Sequence, residues 1–228
     1  YTGVREDNEE TAMLAGLDFK VDVLMNSSCE IIDCFAGHPI KEFYAGVKKA
    51  YRTYSTPKFD KVDVCVVNAN AKANEATFAV NIGGDMVNPG GDVVMVNCCK
   101  TGLVNHYLGF PWGLDDNRAP LSPANRHLEP LAKGVRQLII LSPYREYRHA
   151  VRYGNAAQIK WASTWEEVMS YLSDRGPGTK AAVFKEAILS YFAEDFKIEY
   201  EPVNLNLMQK RWTKEELDAN TVREISVG

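Results

Sequence analysis

The sequence predicts an α/β fold: a layered, mixed to mostly parallel sheet flanked by helices, preceded by an N-terminal β-hairpin plus helix. Three observations predict it. VDVCVV (62–67) is an almost continuous apolar run, as strands covered on both faces tend to be. DVVMVN, RQLIILS and TKAAVF follow it at intervals that leave room for helices. Upstream, FKVDVLMN alternates Phe19, Val21, Val23 and Met25 onto one side, the period of a half-buried strand.

In chain order, residues 5–17 read as a short helix stopped near Gly16. Residues 19–35 read as a hairpin turning at NSS (26–28), with CEIIDCF as the returning strand. From Pro39, a residue suited to a first helical turn, Ile40, Phe43, Tyr44, Val47, Tyr51 and Tyr54 recur at helical spacing. STPKFD then punctuates the chain near Pro57 and divides it into a hairpin-plus-helix segment, 1–57, and an α/β domain, 58–228.

Within the second part, residues 74–87 are a helix ended by NPGG, with Asn74 as its N-cap. Gly83 and Gly84 serve close packing of that helix on the sheet. They lie inside it, and the G-x-G-x-x-G pattern of a dinucleotide site is absent. GPGTK (176–180) is a turn rather than a phosphate loop, since it leads into a strand. In STWEEVMSYLSDRG, Ser163 or Thr164 caps a helix and Glu166 or Glu167 completes a capping box. Trp165, Val168, Met169 and Leu172 form its expected buried stripe. Residues 110–130 form a long Pro- and Asn-rich loop of the kind that often binds or covers a ligand. TKEEL offers a capping box at Thr213 and Glu216 for a terminal helix.

Composition narrows the function. The chain has 228 residues, 46% of them apolar, enough for a sizeable core. A net charge of −4 with both signs scattered gives no basic stripe, so no nucleic-acid partner is expected. No run approaches the length that spans a bilayer, so no membrane partner is expected either. Cys29, Cys34, Cys65, Cys98 and Cys99 are odd in number and contain no Cys-x-x-Cys pair, which reads as a reduced, cytoplasmic protein.

Candidate chemistry gathers where a strand ends. In open α/β sheets ligands bind outside the carboxyl ends of the strands, and NANAKAN follows VDVCVV at such an end. Asn68, Asn70, Lys72 and Asn74 present amides and one ammonium there, while turning and capping the chain is the bland account of the same residues. His38, His106, His127 and His149 show no metal-pair spacing, and His106 is the one placed near a strand end. Arg145, Arg148, His149 and Arg152 form a basic helix face. No G-x-S-x-G elbow supports Ser-His-Asp catalysis. No metal site is expected in this chain.

The ordered series AGLDFKVDV, FAGHP and PGGDVVMVNCCKTG, with KVDVCVVNANAKANEATFAV between, resembles the nickel-dependent lactate racemase family. The likeness is to its carboxyl-terminal domain and the segment leading into it. It covers residues 5 to about 102 well and the rest through its strand–helix rhythm. The resemblance implies racemisation or epimerisation of a 2-hydroxy acid by hydride transfer to a nickel pincer nucleotide. It also implies that the catalytic His pair, the tethering Lys and the nickel-ligating His belong to an amino-terminal catalytic domain of the same polypeptide. This chain would form one wall of the cleft and be inactive alone, with no catalytic residue of its own.

The family's Gln and, three residues later, Lys map near Thr77 and Val80, or near Glu75 and Phe78; neither placement keeps both residue types. A substrate carboxylate would lose its lysine partner, and Lys72 is the loop ammonium left to replace it. The substrate- and cofactor-facing set is thus Asn68, Asn70, Lys72, Asn74, Glu75 and Thr77. Two rival readings use the same residues. One is a non-catalytic small-molecule or partner-binding α/β module. The other is a self-contained enzyme with its site near His106 and the Cys98–Cys99 pair.

Overall fold

The computed structural model describes residues 3–102, 134–145, 156–192 and 223–226. The polypeptide forms two compact units, Tyr1–Pro57 with Phe192–Gly228, and Lys58–Tyr191.

The first unit opens with helix α1 (Gly3–Ala15), ended by Gly16 at φ 77°, a left-handed conformation that glycine adopts without steric cost. Strands β1 (Lys20–Met25) and β2 (Ile31–Gly37) pair antiparallel. The turn between them is fixed by Asn26, whose Oδ1 accepts from the backbone N–H of Ser28 and Glu30. Helix α2 (Pro39–Tyr54) starts with His38 as N-cap, its Nδ1 accepting from the Ile40 N–H at 3.3 Å. Phe35 lies under Gly46 of α2. α1 meets α2 through Met13, Ile40 and Tyr44, and the Arg5 guanidinium stacks 3.4 Å above the Phe43 ring. A third strand, Arg223–Ser226, pairs antiparallel with β2. Nothing in the sequence pattern had indicated it, because four residues are too few to show an alternation.

The alternation of β1 is present but inverted. Lys20, Asp22 and Leu24 face α2, and Phe19, Val21, Val23 and Met25 are exposed. Lys20 Nζ reaches the fully buried Glu42 of α2 at 3.0 Å, and Lys49 reaches the buried Asp33 at 3.4 Å.

The second unit is built on five parallel strands: β3 (Val62–Asn68), β4 (Val87–Val96), β5 (Gln137–Leu141), β6 (Ile159–Ala162) and β7 (Ala181–Phe184). Their order is β6-β5-β4-β3-β7, and every neighbouring pair is parallel. Helix α3 (Thr77–Met86) lies on one face. A Cβ on Gly83 would stand 2.8 Å from Val93 Cγ1 and 3.1 Å from Val67 Cγ1, so the glycine lets the helix approach the sheet, as expected. Helix α4 (Trp165–Tyr171) covers the other face, where Val168 joins Val64, Val94, Ile139 and Ala162. Thr164 caps α4, accepting from Glu167 N–H at 3.3 Å, while Glu167 Oε2 accepts from Ser163 N–H at 2.6 Å.

Four expectations change. The helix expected over 74–87 is preceded by a separate 3₁₀ segment, Asn70–Glu75, and Ala76 rather than Asn74 holds the N-cap position of α3. The helix ends at Met86, just before NPGG as expected, but NPGG is no loop. It lies inside β4, where the ladder slips between Val62 and Val64, and Gly90 takes φ 79°. The α4 stripe reduces to Val168 and the half-buried Leu172, since Trp165 and Met169 are exposed. Strand β6 was missed because only Ile159 and Ala162 are buried in it. The loop at 110–130, the capping box at Thr213, and Arg148, His149, Arg152, His106 and His127 lie outside the described residues.

Candidate functional site at the carboxyl edge of the parallel sheet

The strands β3 to β6 add in one direction, and β7 then joins on the far side of β3. The reversal makes a switch point between β3 and β7, where an open α/β sheet leaves a crevice beyond its strand ends. The two loops there are bonded together. Asn68 C=O accepts from Ala187 N–H at 2.9 Å. Glu186, two residues past β7 and buried, accepts from Ile188 N–H through Oε1 at 2.9 Å and from Ala71 N–H through Oε2 at 3.3 Å. Burial pushes its carboxyl above the ordinary range, against the opposing pull of these backbone donors.

The sequence-derived residues divide by what they already bond. Asn68 Oδ1 accepts from Asn70 N–H at 3.0 Å, an Asx-type turn. Asn70 Oδ1 accepts from Cys98 N–H at 2.8 Å and so links the loop after β3 to the loop after β4. Lys72, whose backbone breaks the 3₁₀ segment, is exposed and pairs with Glu75 at 2.8 Å. Asn74 is exposed, and Thr77 opens α3 half-buried. Of the two placements of the family's Gln and Lys, the first puts its second position on Val80, which is wholly buried. The second puts it on Phe78, which is exposed. In the second placement Glu75 is half-buried.

Two residues escaped the sequence reading. Asn97, one past the central strand β4, is 8% exposed, and its Oδ1 has no hydrogen-bond partner among the described residues. A buried carbonyl oxygen left so costs about 1–3 kcal/mol. The other is Glu186. Asn97 directly follows an apolar run and Glu186 lies two residues past one, so the strand-end rule applied to every strand, rather than to the first alone, points to both. Ser142, beyond β5, is buried but bonded locally through Oγ to Tyr144.

None of the five cysteines forms a disulfide. Burial in β3 pushes the Cys65 thiol up to about 12, so it is inert at neutral pH. Among the described residues no three His, Cys, Asp or Glu side chains group as a metal site, and no helix is long and apolar enough to cross a membrane. His38 is buried within its own unit, and burial lowers its pKa below 6.5. The described residues thus offer an edge of amides and one buried carboxyl.

This defines the class: an open parallel α/β sheet, helices on both faces, with polar groups gathered beyond the carboxyl ends of its strands. Its particular likeness is to the lactate racemase apoprotein from Thermoanaerobacterium thermosaccharolyticum. That structure matches with a TM-score of 0.57 at 16% sequence identity, over 83% of this chain and 49% of the other. The likeness gives the chain a lactate-racemase-like fold, and the chain spans about half the length of that neighbour. No protein-family model matches the sequence, and no curated protein matches it.

Proposed function

We propose that this chain is the carboxyl-terminal part of a lactate-racemase-like enzyme that racemises or epimerises a 2-hydroxy acid. In this reading it forms one wall of the substrate cleft and is inactive alone. The nickel pincer nucleotide, to which hydride transfer would occur, and the catalytic residues belong to the amino-terminal part of the same polypeptide. The observation that carries the reading is the fold likeness over 83% of the chain, joined to a polar edge at the switch point.

The residues here would bind and orient. Asn97 Oδ1 would accept from a substrate hydroxyl. The loops after β3 and β7, tied by Glu186, would hold that acceptor's surroundings fixed. Glu75 engages Lys72, and Phe78 is exposed one turn further on. An ammonium tied to a carboxylate is a weaker grip on a second carboxylate, and an apolar ring suits a larger substituent at the α-carbon. The substrate class is therefore a 2-hydroxy acid or sugar acid bulkier than lactate.

The test is interconversion of enantiomers or epimers across a panel of such acids, with nickel pincer nucleotide supplied. Turnover is expected from the product of the whole gene and not from the 228-residue chain. Turnover by the chain alone, or by neither on any acid, would overturn the reading.

A further inference from the structure

The sheet of the first unit carries a second apolar surface, on the side away from its helix. An antiparallel sheet with one face on a helix normally turns apolar residues to the helix and polar ones to water. Here the helix side holds Lys20, Asp22 and Asp33, with ion pairs to Glu42 and Lys49 of α2, beside the buried Phe35 and the half-buried Leu24. The opposite side holds Phe19 at 62%, Val21 at 55% and Ile31 at 51% exposure, together with exposed Val23 and Met25. The pairing Val21↔Ala36 and Val23↔Cys34 extends this apolar surface onto β2. A slip of one residue along β1 would have buried the set. The arrangement is locked instead by Lys20–Glu42 and by Tyr54, whose hydroxyl bonds both the N–H and the C=O of Met25. Contiguous exposed apolar surface of this kind marks a site that another protein surface covers.

We infer that this outer face is the seat of a further domain of the same polypeptide, docked on the sheet through Phe19, Val21, Val23, Met25 and Ile31. The occupant is argued from length and chemistry. The structural neighbour carries about as much chain again as matches here, since 49% of it is covered. The exposed side chains on this face are apolar, which fits permanent burial within one protein better than an exchangeable, charge-steered partner. The inference rests on the proposed membership of a longer enzyme. Its test reads docking and not turnover, so failure of either leaves the other standing or falling by itself.

The experiment places a thiol on the face with Val21→Cys, in a background where Cys29, Cys34, Cys98 and Cys99 are Ser, leaving the inert Cys65. A water-soluble maleimide is then timed against the 228-residue chain and against the product of the whole gene. We expect labelling at least tenfold slower in the whole product. Equal rates would overturn the docking. Protection in the 228-residue chain that grows with its concentration would assign the face to a second copy and also overturn it. Val23→Lys supplies an independent arm: it should leave the far-UV circular dichroism of the chain unchanged yet lower the yield of folded whole product. Unchanged yield and unfolding temperature there would count against the inference.

Discussion

The two ends of the parallel sheet are built from similar residues and do opposite things with them. At the amino end, Asp92 is fully buried and surrounded by cations. Arg136 meets it with two parallel bonds, Nε to Oδ1 at 2.7 Å and Nη2 to Oδ2 at 2.6 Å, and Arg175 adds a third at 2.8 Å. Arg136 also bonds Asp174, and Arg175 donates to Gly90 C=O at 2.7 Å. Nearby, Asp63 accepts from Lys180 N–H at 2.9 Å and from Asn88, and that backbone bond above all holds its carboxyl below the usual range. Bidentate arginine–carboxylate pairs are among the strongest polar contacts available, and the network closes on itself. At the carboxyl end, Asn97 keeps an acceptor without a partner among the described residues, and Lys72 and Asn74 are exposed. A polar group whose bonds are all internal serves the fold. At the carboxyl end the buried Asn97 acceptor has no such closure among the described residues.

That contrast can be broken at three places. Arg136→Ala would leave Asp92 buried with half its partners gone. We expect a loss of about 3–5 kcal/mol in a denaturant midpoint experiment at constant slope, the range for breaking a buried pair. A loss below about 1 kcal/mol would show that Arg175 suffices and that the amino end is no stronger than the other.

Glu186→Gln comes next. Glutamine replaces one acceptor oxygen with a donor facing either Ala71 N–H or Ile188 N–H, at a cost of about 1–3 kcal/mol. The same variant carries a pH signature. The folded-state pKa of Glu186 is raised, so the folded chain holds the proton over a range where the unfolded chain, near 4.5, has released it. Its contribution to stability is fully present below 4.5 and is lost as pH rises through the folded value. Subtracting the variant's stability-versus-pH curve from the parent's should leave a downward step across that window. A flat difference would mean the carboxyl is not desolvated.

Asn97→Leu should do least to the fold, within about 1 kcal/mol of the parent, because it removes an acceptor that nothing in the described structure satisfies. The same change should weaken binding of the 2-hydroxy acid by the whole gene product at least tenfold. A stability loss above about 2 kcal/mol with unchanged binding would move Asn97 to the structural side of the comparison.

The continuous runs VDVCVV, DVVMVN and RQLIILS announced the parallel sheet because a strand covered on both faces has nowhere to place a polar side chain. Pro39 and the Ile40–Tyr54 stripe announced α2 with its start. What could not be read was whatever depends on contact rather than period. The β1 alternation is visible in the letters, but which face meets α2 is decided by Glu42, Lys49 and Gly46, far along the chain. NPGG reads as a stop signal, yet an offset in the ladder admits it within β4. At the candidate site, Asn68 and Asn70 were legible as polar residues at a strand end. Their carbonyls' use in holding loops was not, nor was the open acceptor on Asn97, because satisfaction is a property of neighbours.

The strand Arg223–Ser226 borders β2 with Arg223 opposite Ala36. A ribosome releasing roughly 5–20 residues per second needs about ten to forty seconds between those two positions. Throughout that interval one flank of β2 lacks the neighbour it will finally have, and such flanks recruit stray strands from other nascent chains. Of the two units, the one whose hairpin is made before the parallel sheet is therefore completed after it, and slowing translation should lengthen its exposure to chaperones.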